Sequence, residues 1–266
     1  MLRACECRFG KAESKASSGN IDAGNIALTK SAVPDGGNLQ NVKLFKPVFV
    51  LEPSGRYRAS ADMSLGGGVL GSVKLGAARA SVIAENNQVA LNNLTADVMD
   101  GSINGNAVIA LNNRNRSRVN AEFANLDLGK LLALQGGRVV PIEGKTTGNV
   151  NLSFAGTNFK TASGTLTADF AANAGTTERG LVPVNGKLGL TATNGLFDVD
   201  YANLNTEKTQ FNATGRFDLS GNDSNLNVVL NSSDAGEIER IIRVLERLAR
   251  TPRPDLILIK QSLPET

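Results

Sequence analysis

Gly144-Lys145-Thr146 is the stretch of this chain closest to nucleotide chemistry, since it has the ending of a phosphate-binding loop. The earlier glycine that lets backbone amides cradle the phosphates would fall at position 139, which is Val139. The tripeptide therefore reads as the start of a strand led by Gly144. Asp97 with Asp100, and Asp198 with Asp200, have the spacing of acid pairs. In an alternating strand, however, Asp198 and Asp200 share the polar face, where a carboxylate is simply solvated. Cys5 and Cys7 are the only thiols, and a C-x-C pair completes no metal site without further ligands. The chain has no His, which removes Ser-His and Cys-His nucleophiles, imidazole bases and His-ligated metals. Gly66-Gly67-Gly68 lacks the Asp of a calcium-binding nonapeptide turn and reads as a bend. Asn-x-Ser/Thr recurs at Asn93, Asn115, Asn212, Asn222 and Asn231, as chance gives in an Asn- and Thr-rich chain. The sequence thus points away from an enzyme, with no cofactor and no metal expected.

The elements that hold these residues are strands. Tyr57, Ala59, Ala61, Met63 and Leu65 alternate with Arg58, Ser60, Asp62 and Ser64. The same period of two returns in Val119–Phe123, Val150–Phe154, Leu166–Phe170, Phe197-Val199-Tyr201 and Leu226–Leu230. One face of each is apolar and the other is Asn, Ser, Thr and Asp, as in antiparallel sheet with one wet side. Asn112-Asn113, Asn194-Gly195 and Ser220-Gly221-Asn222-Asp223 mark turns between them, so the expected topology is a meander of hairpins. Only Pro141 and Pro183 interrupt the long middle of the chain. Two short helices are expected, near 128–135 after Asp127 and over 235–249 after Asp234. Glu237 stands where a capping box places its acid.

An internal repeat runs through this pattern. Asn93-Leu94 and Gly105 return as Asn203-Leu204 and Gly215, about 110 residues on. Val119, Phe123 and Asp127 return as Leu226, Leu230 and Asp234. A shorter echo links Val140-Pro141-Ile142-Glu143-Gly144-Lys145 with Val182-Pro183-Val184-Asn185-Gly186-Lys187. The organisation read from this is an unassigned terminus over 1–20, disordered or out of frame, and a repetitive β region over 21–233. An amphipathic helix over 234–250 and an unassigned tail over 251–266 follow. The net charge of +3 comes from no basic block, so nucleic acid is not an expected partner. No apolar leader follows Met1 and no run reaches the ~18 apolar residues of a membrane span.

The run from Arg118 to Ile242 resembles the TamB family of translocation-and-assembly-module proteins, related to the AsmA-like bridge proteins of double-membrane bacteria. The resemblance is carried by Asn125-Leu126-Asp127-Leu128 leading to Leu131-Leu132, and by Gly148-Asn149-Val150-Asn151-Leu152-Ser153-Phe154-Ala155-Gly156-Thr157. Ala162-Ser163-Gly164-Thr165-Leu166, Val182-Pro183-Val184-Asn185-Gly186 and Asn212-Ala213-Thr214-Gly215 continue it. It implies a mainly β fold, an elongated antiparallel repeat sheet curled into a U-shaped, taco-like trough with an apolar interior. It also implies a place in the periplasm, with an inner-membrane anchor and an outer-membrane barrel partner in the full-length protein. Met1–Lys15 and the segment after Leu245 depart from the family pattern, and the chain reads as a fragment.

The function expected is to shelter phospholipid acyl chains during lipid transfer and outer-membrane assembly. The residues expected to line the groove are Val119, Phe123, Val150, Leu152, Phe154, Leu166, Phe170, Leu188, Leu190, Phe197, Val199, Phe217, Leu226, Val228 and Leu230. In an open trough, a charge at either Leu152 or Leu190 is expected to spare the fold and remove the lipid. The alternative from another class is an adhesin-like surface or secreted β-solenoid whose polar Asn/Thr face binds partners. An outer-membrane barrel fits less well, because the chain has no Trp and only two Tyr to form aromatic girdles.

Overall fold

The computed structural model describes residues 14–17, 19–28, 36–70, 73–131, 142–173, 181–218 and 225–239. These residues are mostly strand, with a large antiparallel sheet and helical turns at 128–131 and 235–239. Cys5, Cys7, Leu132, Leu134, the Ser220–Asp223 turn, the helix beyond residue 239 and the tail lie outside the described residues. The region expected as a single repetitive stretch forms two compact units. One holds the chain up to Val98 with Ser102–Ala121 and Ala155–Thr157; the other holds Met99–Gly101, Glu122–Phe154 and the chain from Asn158.

The first unit begins with β1 (Ser14–Ser17), β2 (Ile21–Leu28) and β3 (Gly37–Leu51), and both early strands pair antiparallel with the long β3. β1 falls within the terminus that the sequence left unassigned. Ser-Lys-Ala-Ser has no apolar alternation, so this strand is recruited by ladder hydrogen bonds on β3, which periodicity cannot reveal. β4 (Tyr57–Leu65) and β5 (Gly67–Leu70) follow, broken at Gly66 in the expected glycine bend, and both pair with β3 and with β6 (Val73–Glu85). β7 (Gln88–Val98) closes on β6 through Asn86-Asn87, both at positive φ, which suits the twist of a tight hairpin. Pro47 sits in a bulge of β3, where Lys46 and Pro47 are skipped between the pairs Phe45–Asp62 and Val48–Ser60. A proline is tolerated there because no ladder bond is asked of it. One core cluster of this unit is Val42, Leu65 and Ala78, packed by Ile26, Leu39, Met63 and Ala96.

β8 (Gly101–Ala110) and β9 (Arg116–Asp127) follow β7 in the sheet order, and of them Ser102–Ala110 and Arg116–Ala121 belong to this unit. Ser117 is fully buried; its hydroxyl accepts the Ala110 N–H at 2.9 Å and donates to the Gly156 carbonyl. The Gly156 N–H in turn donates to the Asn115 carbonyl at 2.9 Å. One side chain thus satisfies two buried backbone groups of the hairpin and of the turn beside it.

The strands of the second unit include β11 (Lys145–Ala155), β12 (Asn158–Ala171), β14 (Asn185–Thr193), β15 (Leu196–Asn205), β16 (Thr209–Asp218) and β17 (Asn225–Ser232). From β12 to β17, the sheet neighbours pair antiparallel. Asn194 and Gly195 turn at φ of 53° and 88°, the conformation expected of Asn-Gly in a two-residue hairpin. The shorter sequence echo is also spatial. Its two copies form β10 (Ile142–Glu143) and β13 (Val182–Pro183), which lie side by side in parallel, Ile142 opposite Val182 and Glu143 opposite Pro183.

Both repeated aspartates cap helical turns as expected. Asp127 Oδ1 accepts the Lys130 N–H at 2.9 Å, and Asp234 Oδ1 accepts the Gly236 N–H at 2.9 Å and the Glu237 N–H at 3.3 Å. Glu237 does not return the bond of a capping box. The Asp234 N–H donates to Ser232 Oγ at 3.0 Å, while the buried Glu237 accepts from the Thr209 hydroxyl at 2.9 Å. That contact ties the helical turn to the β15–β16 hairpin.

The Lys208 ammonium 3.1 Å away, with help from the Gly236 and Glu237 amides, holds the Asp234 carboxyl below its usual range. A carboxyl whose folded value is lowered stabilises the fold fully above the ordinary Asp range, and that contribution fades as pH falls from about 4 through the lower folded value. Melting curves between pH 6 and pH 3 should therefore fall more steeply for the native chain than for Asp234→Asn. Parallel pH profiles would contradict this role.

Candidate functional site

The residues expected to line a groove are drawn together chiefly on one face of the second unit. The register lays them out as rows crossing the strands. Phe170, Gly186, Leu204, Phe211 and Leu230 form one row, and Ala168, Leu188, Ala202, Ala213 and Val228 form the next. Leu166, Leu190, Val199, Gly215 and Leu226 follow, then Gly164, Ala192, Phe197 and Phe217. Each row mixes bulky residues with at least one glycine or alanine, which leaves room for the larger neighbours. Val199, Ala202, Ala213, Val228 and Leu230 are buried, and half-buried Leu188, Leu190, Phe211, Phe217 and Leu226 pack against them. Phe197 and Phe217 stack with ring centres 5.2 Å apart.

Other predicted residues differ in their surroundings. On β11, Leu152 and Phe154 are only 4% and 5% exposed, whereas Val150 is half-buried. Phe154 packs against Phe159, which is exposed, and the Phe123 ring lies against Gly148. Val119 is half-buried and belongs to the first unit.

Tyr201 does not share a face with Phe197 and Val199, as simple alternation predicts. Leu190 pairs with Val199 but Gly189 pairs with Tyr201, so Asp200 is an extra residue in a bulge and every later side chain of β15 changes sides. Ala202 and Leu204 take the apolar positions, and the Tyr201 ring lies over Gly189 on the polar face, 39% exposed. The sequence reading missed Ala202, Leu204, Phe211 and Ala213. For Phe211 and Ala213 the signal was present, in the alternation that runs on to Phe217.

The charged motifs resolve into surface pairs. Lys145 stands 3.9 Å from Asp127, and the neighbouring Thr146 is buried, so Gly144-Lys145-Thr146 starts a strand and forms no phosphate cradle. Asp198 accepts from Arg216 at 2.7 Å and Asp200 from the Thr191 hydroxyl at 2.8 Å. Asp100 binds Lys130, whose ammonium that hydrogen bond holds above its usual range. Among the described residues, no group of three or more His, Cys, Asp and Glu is arranged to hold a metal, and no helix is long and apolar enough to cross a membrane.

Beside the apolar face, the second unit has an open depression of about 660 Å³ around the β15–β16 hairpin. Most of its lining residues carry an amide or a hydroxyl, beside Glu207, Lys208 and the apolar Leu204. No family model matches this chain, and neither a curated protein nor a solved structure matches it.

Proposed function

We propose that this chain shelters phospholipid acyl chains, as a lipid-conducting segment of the TamB type, with its sheet curled into a trough lined by the apolar face. The observation that supports this is the set of apolar rows across β12, β14, β15, β16 and β17, in which Leu188, Leu190, Phe211, Phe217 and Leu226 remain half-buried. An acyl chain lying along those residues gains about 0.8 kcal/mol per buried methylene. Apolar attraction is not directional, so the chain is held without a headgroup site and is free to slide. No catalytic residue is needed. The periplasmic setting, the inner-membrane anchor and the barrel partner of a full-length protein follow from the motif resemblance from Arg118 to Ile242. A photoreactive residue placed at Leu190 or Phe217 should yield phospholipid adducts, and one at Asn203 on the polar face should not.

A further inference from the structure

We infer that the polar depression of the second unit binds a neutral, hydroxyl-rich chain, an oligosaccharide segment, independently of the apolar face. Five amide-bearing residues line the depression. Asn205, Gln210 and Asn231 stand opposite one another in one row, and Asn203 and Asn212 in the next. Strands about 4.8 Å apart and rows about 7 Å apart spread these groups in a flat grid. All five are exposed, and none hydrogen-bonds another described residue through its side chain. Each amide offers two donors and an acceptor, which matches hydroxyls that both give and take hydrogen bonds.

The charges of the depression point the same way. Its one cation, Lys208, is already paired with Asp234 at 3.1 Å, and Glu207 adds a negative charge, so nothing there selects a phosphate or an acidic peptide. An apolar ligand would leave five amides desolvated and unpaired. One row beyond Asn203, the exposed Tyr201 ring lies over Gly189 on the same polar face. It forms a platform on which the C–H face of a sugar ring can rest. The volume, about 660 Å³, is that of a small-molecule site.

The test titrates the full chain with cellohexaose, chitohexaose and maltohexaose, following the side-chain amide signals of Asn and Gln by nuclear magnetic resonance. At least one hexasaccharide should shift the signals of Asn203, Asn205, Gln210, Asn212 and Asn231. Gln210→Ala and Asn212→Leu should each weaken its binding about tenfold or more without changing the melting temperature, and Tyr201→Ala should weaken it as well. The inference is overturned if none of the three perturbs these amides at about 10 mM. It is equally overturned if a sugar binds but Gln210→Ala and Asn212→Leu leave its affinity unchanged. Lipid adducts on the apolar face bear on the other reading alone, so the two fail separately.

Discussion

Gly186→Val is expected to lower the stability of the second unit by about 3 kcal/mol or more. Gly186 has φ +137°, on the side of the map that residues with a side chain rarely visit. A Cβ placed there would run into the Asn203 carbonyl oxygen and stand 2.8 Å from Leu204 Cα. Both are backbone atoms of the next strand, so nothing can swing aside. The β14–β15 ladder would have to open, and Phe170 and Leu204 would lose the low point between them. Gly215, at φ +119° and against the Asn225 carbonyl, should behave alike when replaced by valine. Gly19→Val is the control: nothing lies within 4 Å of its Cβ position, so the change should stay within about 0.5 kcal/mol. Urea denaturation followed by circular dichroism measures all three. Equal stability of Gly186→Val and Gly19→Val would contradict the register described.

The second large effect separates two positions that the sequence treats alike. Leu152, 4% exposed, is part of a closed core, so Leu152→Arg buries a charge without a partner. That costs about 3 kcal/mol or more and should unfold the second unit. Leu190 is half-buried, and a glutamate there can bend its carboxylate toward water. Leu190→Glu should keep the sheet and lose lipid. A desolvation cost of about 2 kcal/mol or more for a polar group facing an acyl chain exceeds the 1.4 kcal/mol that separates one decade of affinity from the next. Bound phospholipid should therefore fall about tenfold or more in Leu190→Glu. Circular dichroism and lipid extraction on the same preparations give both readings. A folded Leu152→Arg would contradict the closed environment of that residue, and undiminished lipid on folded Leu190→Glu would count against the groove.

Alternation and capping were legible because they are local. Leu226, Val228 and Leu230 declare their face within five residues, and Asp127 and Asp234 announce the helical turns that they cap. The features that escaped depend on register between strands. Tyr201 looks like the next apolar position after Val199 until an extra residue, Asp200, is admitted opposite β14. Gly189 is the only trace of this in the sequence, since its missing side chain leaves room for the Tyr201 ring. The amide grid is less visible still. Asn203, Gln210, Asn212 and Asn231 sit on three strands, and only their pairing brings them into one depression. β1 escaped for a different reason, because its strand is held by the β3 ladder and not by burial. Met99 and Asp100 make a positive-φ hairpin turn in which Asp100 suits that conformation and Met99 does not, so only half of the turn is marked by residue type.

The most direct test of the lipid-sheltering account is site-specific photocrosslinking of the chain produced in the periplasm of a double-membrane bacterium. A benzophenone side chain would be placed in turn at Leu188, Leu190, Phe217 and Leu226 on the apolar face, and at Asn203 and Asn212 on the polar face. After irradiation, phospholipid attached to the protein would be measured by mass spectrometry. The account predicts adducts at the four apolar positions and background at the two polar ones. Adducts at none of the apolar positions, or equal adducts on both faces, would contradict it.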